Sequence, residues 1–271
     1  MRVVCAGDCG VDLYRPSGAR HFGGITANFA RHARHEFPAD DLIRIVSCVG
    51  DDDGGALVLD SLQGSGIDCD IARIAGRTPV QTIEIRPDGE RHFVHYDAGV
   101  LQDFHFSDSQ RRMIADADLL VAPVYLQIVG LFDELMSIRP AGRTAIDFAD
   151  FLQHPDFSLL DRHVDSVDVG FFGLDPDDDG TIDALAERAT QHDRLFIVTL
   201  GAAGSLALRR GARIAVPAVP VAEVVDTTGA GDAFAAGFLS RWCHGSDIQT
   251  AMEHGALVAS RVVGHVGSHR A

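Results

Sequence analysis

The runs "RVVCAGD" (2–8), "IRIVSCVG" (43–50), "DLLVAP" (118–123), "RTAIDF" (143–148), "VDVGFF" (167–172) and "RLFIVTL" (194–200) constrain the fold more than any other feature of this chain. Each is short, apolar and rich in β-branched or aromatic residues, the pattern of a strand buried on both faces. Helical stretches lie between them. In "TIDALAERAT", Ile182, Leu185, Ala186 and Ala189 fall on one face at helical spacing. Ser107 stands where an N-cap is wanted before the helical "DSQRRMIADA". Strands alternating with helices predict an α/β fold, a mostly parallel sheet with helices on both faces.

Two segments break that rhythm. "QTIEIRPDGERHFVHY" alternates on either side of a Pro87-Asp88-Gly89 turn, and "VDLYRPSGARHFGG" is a second strand pair interrupted by Pro16 and Gly18. Hairpins have no place inside a parallel sheet, so these predict a small β lid, about 11–22 and 80–97. With no internal repeat or long linker, residues 1–271 are expected to form one domain.

A formal charge of -16 argues against nucleic acid or an anionic membrane as partner. No apolar run approaches the roughly 20 residues of a membrane span. The N-terminus lacks the long apolar region of a signal peptide. The cysteines, 5 in number and scattered, are expected to be reduced thiols in a cytoplasmic protein. All 23 basic residues are arginine, so any chemistry that needs a phosphate-binding or Schiff-base lysine is excluded.

The residues that point to chemistry are "DTTGAGDAFAAGFL" (226–239). Gly229, Ala230 and Gly231 ahead of an apolar helix offer free backbone N–H groups, an anion hole. Asp232 follows at once. An acid at a helix N-terminus is favoured as its anion, so Asp232 is expected to be ionised at neutral pH and to accept a proton from a hydroxyl. Base and anion hole side by side suit in-line phosphoryl transfer to an alcohol. The bland alternative is that Asp232 only caps its helix.

This stretch resembles the second signature of the ribokinase-like (PfkB) carbohydrate kinases, and "FGGITANFARHA" resembles their first, with Gly23, Gly24 and Asn28 in matching places. "VGDDDGG" (49–55) and "VTLGAAGS" (198–205) are similar to further family segments, in family order. The resemblance implies a ribokinase-like fold, ATP as phosphoryl donor with Mg²⁺, and homodimers through the lid. It implies Asp232 as base; Asp12, Gly23, Gly24, Asn28, Asp8 and Arg91 toward the sugar; and Thr199, Gly201, Gly204, Gly229 and Gly231 toward ATP. Asp12 is read as lying just after the first strand, at the sheet's carboxyl end. Asp226, Thr228, Gly264 and Ser268 match a loop that holds a monovalent cation such as K⁺.

Two departures stand out. The family's Asn-x-x-Glu is replaced by "GLDPDDDG" (173–180), leaving Asp177 as the candidate Mg²⁺ ligand, and Ile25 stands where ribokinase itself has a lysine. Within the family, "GDCGVDLY", "SCVGDDDGG", "RHFVHYDAGV" and "AIDFAD" are most similar to members that phosphorylate fructosamines. That implies fructoselysine as acceptor, at its 6-hydroxyl, with Asp97, Asp147 and Asp150 available to neutralise its amine. A kinase of another ketose, of ribose or of a nucleoside stays open, as does a non-catalytic sugar sensor.

Overall fold

The computed structural model describes residues 1–86, 91–149, 151, 155 and 157–268. In chain order the strands are β1 (Arg2–Ala6), β2 (Gly10–Arg15), β3 (Arg20–Gly23), β4 (Leu42–Gly50), β5 (Asp68–Ile74), β6 (Val80–Ile85), β7 (Arg91–Asp97), β8 (Leu119–Val124), β9 (Arg143–Phe148), β10 (Val169–Gly173), β11 (Leu195–Thr199), β12 (Ser205–Arg209) and β13 (Ala212–Val216). The helices are α1 (Ile25–Glu36), α2 (Asp53–Leu62), α3 (Asp108–Ala115), α4 (Val129–Ile138), α5 (Phe157–His163), α6 (Asp179–Gln191), α7 (Ala230–Trp242) and α8 (Ile248–Val262).

The apolar runs pair as a parallel sheet, β5-β4-β1-β8-β9-β10-β11, extended by β12 and β13 into a 9-stranded sheet. The last two strands are antiparallel. The sequence reading missed this edge hairpin, whose turn is Arg210–Gly211 with φ of 51° and 77°. A two-residue turn of that kind is usually signalled by Asn or Asp at its first position, and arginine hides it.

Alternation along β1 explains the two-sided core. Val3 and Cys5 face one side with Ile43, Ile45, Phe29 of α1 and Phe238 of α7; Val4 and Ala6 face the other with Val46, Phe132 of α4 and Leu185 of α6. The α6 stripe is as expected, with Ile182, Leu185 and Ala189 buried and Ala186 packed against them. Ser107 caps α3 in a reciprocal capping box with Gln110.

The hairpins form the lid, a 4-stranded sheet in the order β3-β2-β6-β7. β2 and β6 run parallel and join the two hairpins into one layer. The Pro87-Asp88-Gly89 turn and Asp150 lie outside the described residues. Asp12 corrects an expectation: it belongs to the lid strand β2, and Asp8 is the acid immediately past β1. Cys5, Cys9 and Cys48 are buried free thiols, Cys69 is exposed and Cys243 half-buried. Among the described residues no helix is long and apolar enough to cross a membrane.

α7 is held at its middle. A side chain at Gly237 would come within 3.1 Å of the Gly255 Cα on α8, so two glycines set the close approach of these helices. Phe238, fully buried, meets Phe171 edge-on and stacks on Trp242. Phe238→Ala is expected to cost about 3–5 kcal/mol of unfolding free energy, measured by urea denaturation; a loss below about 1 kcal/mol would show that α7 is not anchored through this ring.

Candidate active site

A cleft of about 530 Å³ lies between the lid and the carboxyl ends of the central strands. It is walled by Asp8 and Asp12, by Asn28 of α1, and by Gly229, Gly231 and Asp232 at the start of α7. The order in which these segments leave the sheet explains their meeting. β1 runs straight into Asp8, and the glycine turn ahead of α7 arrives from the far end of the chain.

Asp8 is buried and its two oxygens accept the backbone N–H groups of Ile25 and Thr26, each at 3.0 Å. It therefore caps α1 from outside the helix. Burial pushes its pKa up, against those bonds. Asp12, also buried, lies so close to Gly23 that a Cβ there would sit 2.4 Å from its carboxylate oxygen. Glycine at 23 is thus needed by the acid. Burial, then the nearby Asp8 and Asp226, push Asp12 up to about 8, with Arg91 opposing.

Gly229, with φ of 78°, caps α7, and a Cβ at Gly231 would meet nothing within 4 Å. The first turn of α7 therefore faces open space, the geometry an anion needs. Asp232 is the third residue of α7 and only 8% exposed. Its Oδ2 accepts from Asn28 Nδ2 at 3.0 Å. Its pKa is raised well above the usual carboxylate range, first by burial and then by the charge of Asp147, while Asn28 and Arg91 pull it down. That upward direction runs against the lowering expected from the helix N-terminus alone. A helix N-terminus is worth at most about 2 kcal/mol to an anion, and desolvation outweighs it here.

Arg91 of β7 donates through Nη1 to the Thr227 carbonyl at 2.7 Å, and Tyr14 of β2 donates to Asp226 Oδ2 at 2.8 Å. Both hairpins of the lid are thereby tied to the turn before Gly229. Asp226 is fully buried and also accepts the N–H groups of Thr228 and Gly267, each at 2.8 Å. The Ser268 hydroxyl is given to Asn28, and Gly264 is exposed beyond α8. The Asp226 carboxylate and the Ser268 hydroxyl are thus engaged within the protein, whereas the buried Thr228 hydroxyl oxygen has no hydrogen-bond partner.

Asp177 is exposed in the turn before α6, outside the cleft lining, with its N–H bonded to Asp175. Among the described residues no cluster of three or more acidic, His or Cys groups is arranged to hold a metal ion, so a Mg²⁺ here would take most of its ligands from phosphate and water. Thr199 ends β11 and lines the cleft. Gly201 and Gly204 form the turn beyond it, outside the lining. Gly204 has φ of 97° and a Cβ there would lie 2.3 Å from the Val216 carbonyl, so that turn requires glycine for its own geometry.

Asp147 lines the cleft, whereas Asp97 is paired with Arg77 at 2.9 Å and does not. Sequence reading missed Tyr14 and Tyr125. The Tyr125 hydroxyl lies 2.7 Å from that of Tyr96, their rings edge-on in the cleft wall. Its position just past β8, at the carboxyl end of a central strand, is the signal that pointed to it.

The profile of the pfkB family carbohydrate kinases matches residues 3–151 and 170–271. A fructoselysine 6-kinase of Shigella flexneri is 30% identical over 267 residues, 98% of either chain. A fructosamine kinase of Bacillus subtilis is 28% identical, over 99% of this chain and 93% of its own. Among solved structures, an adenosine kinase from Sinorhizobium meliloti superposes with a TM-score of 0.82 at 21% identity, covering 99% of this chain and 95% of that one. A ribokinase of Arabidopsis thaliana complexed with ribose and ATP gives 0.76 at 21% identity, over 98% and 93%. At those identities the structures speak for the fold alone.

The raised carboxyl of Asp12 makes a stability prediction. A folded-state pKa of about 8, against roughly 3.9 unfolded, means the folded protein holds a proton that the unfolded chain gives up. That contribution is present below pH ~4 and is lost as pH rises toward 8. Asp12→Asn is therefore expected to raise the unfolding free energy at neutral pH and to flatten its fall between pH ~4 and 8, by denaturant titration across that range. An unchanged pH slope would contradict the assignment.

Proposed function

The chain belongs to the pfkB family of carbohydrate kinases, and from that premise we propose that it transfers the γ-phosphoryl group of ATP to the 6-hydroxyl of a fructosamine such as fructoselysine. The observation that carries the proposal is the adjacency of Asp232 to the open first turn of α7 in one cleft. With both groups on one helix turn, the acceptor hydroxyl and the migrating phosphoryl group meet in line.

In this reading Asp232 in its ionised form takes the hydroxyl proton as the oxygen attacks phosphorus. The N–H groups of residues 229–231 stabilise the charge that builds on the phosphoryl oxygens. Asp12 and Asn28 face the sugar, and Gly24 lines the cleft beside them at φ of 100°, where a Cβ would come within 2.9 Å of the Asp8 carbonyl. Thr199, at the end of β11, faces the nucleotide. The expectation of magnesium rests on the charge of the triphosphate and not on a protein ligand set.

The fructosamine acceptor draws support from the relatives named fructoselysine 6-kinase and fructosamine kinase, and from Asp147 in the cleft wall. An acid there neutralises the amine of an amino-acid-bearing sugar, which a simple ketose lacks. The exposed Phe93 and Val94 of β7 support the lid as the surface where two copies pair.

The test is ADP release from Mg-ATP with fructoselysine, other fructosamines, fructose, ribose and adenosine. Turnover confined to fructosamines is expected; turnover on another acceptor would overturn the substrate, and sugar binding without turnover would make the protein a sensor. Asp232→Asn is expected to lower kcat by about 10²–10⁴-fold with the fold intact by circular dichroism. Asp147→Asn is expected to weaken equilibrium binding of fructoselysine more than that of fructose, and equal losses would remove Asp147 from amine recognition.

A further inference from the structure

The last described residues reach back into the cleft. Ser268 is 2% exposed and its hydroxyl donates to Asn28 Oδ1 at 2.7 Å. Asn28, 4% exposed in the first turn of α1, donates through Nδ2 to Asp232 Oδ2 at 3.0 Å. Ser268 also lies against the start of α7, since a Cβ at Gly229 would be 2.4 Å from its own Cβ. Its neighbour Gly267 donates to Asp226. Three distant segments thus end in one buried chain of hydrogen bonds.

We propose that Ser268 is a positioning residue: its hydroxyl fixes which end of the Asn28 amide faces Asp232, and through that amide it holds the carboxylate ready to take the substrate's proton. The proposal rests on the kinase reading above, with Asp232 as base.

An amide has a donor end and an acceptor end, and a carboxylate tolerates only the donor. Turned over, Asn28 would set its oxygen against the Asp232 oxygen, two acceptors facing each other in a site with little water. The serine O–H on Oδ1 favours the donor-forward orientation. In it, each dipole of the chain points its positive end toward Asp232, and bonds in series polarise one another. The other charged groups that act on Asp232 are Asp147 from β9 and Asp8 beyond β1, which oppose the anion, and Arg91 from β7, which favours it. Against two like charges, the Asn28 amide joins the helix N-terminus in favouring ionisation, so its orientation matters.

The experiment is the pH dependence of kcat/KM for the acceptor that the wild-type enzyme turns over. In Ser268→Ala the acid limb is expected to move up by about one pH unit, a loss of about tenfold below the limb that is recovered at alkaline pH. A role in folding alone would lower the whole profile without moving the limb, and that result, or an unchanged profile, overturns the proposal. Asn28→Asp, near in shape, puts an acceptor where the donor stood, and its limb is expected to move further; an unmoved limb there also overturns it. This second variant decides the matter if Ser268→Ala does not fold. In an Asn28→Leu background, adding Ser268→Ala is expected to cost nothing more, and additive losses would show that the serine acts by another route. Full activity in Asp232→Asn would sink the base assignment itself. An inactive Asp232→Asn with an unmoved Ser268→Ala limb would sink only the positioning role of Ser268.

Discussion

Burying a carboxylate costs on the order of several kcal/mol unless the protein supplies partners. Asp8, Asp12, Asp226 and Asp232 are all buried around one cleft. The architecture of the site follows from how each is accommodated. Asp8 and Asp226 receive backbone N–H groups and serve as internal caps that hold loops. Asp12 and Asp232 have fewer such bonds, and burial pushes both upward, as it does Asp8. The acids with more donors hold the loops, and the two less satisfied ones line the cleft. Perturbed groups gathered in a cleft are what a catalytic centre requires.

The same economy explains why the lid is attached where it is. β2 and β7 reach the Asp226–Thr227 turn through Tyr14 and Arg91, next to the glycines that open α7. The C-terminal segment approaches from the other side through Gly267 and Ser268. A charge of -16 leaves little positive potential for holding phosphate, so in the proposed function the binding power is local, from the backbone N–H groups at the start of α7. The absence of lysine fits that arrangement.

Much of this was legible in the sequence because it rests on local rules. Apolar runs at β1, β4, β8, β9, β10 and β11, the α6 stripe, the Ser107 cap and the two lid hairpins follow from periodicity and capping alone. "DTTGAGD" announced the helix turn and the acid beside it. What stayed hidden depends on contacts between distant residues. Asp12 is on a lid strand, inside the hairpin the sequence predicted, because β2 begins only a few residues after β1, and it is Asp8 that lies just past β1. The upward shift of Asp232 comes from burial and from Asp147, neither visible in a helix N-terminal motif. Ser268 read as part of a cation loop, whereas its hydroxyl is given to Asn28, 240 positions away in the chain.

The central claim is that burial and the charge of Asp147 raise the pKa of Asp232 above that of an ordinary carboxylic acid. The direct measurement is a ¹³C NMR titration of aspartate-labelled, ligand-free protein, with Asp232 assigned by its loss in Asp232→Asn. The account predicts a carboxyl resonance that titrates well above the usual value of about 3.9. A midpoint at or below that value would contradict it, and would return Asp232 to the role of an ordinary helix cap.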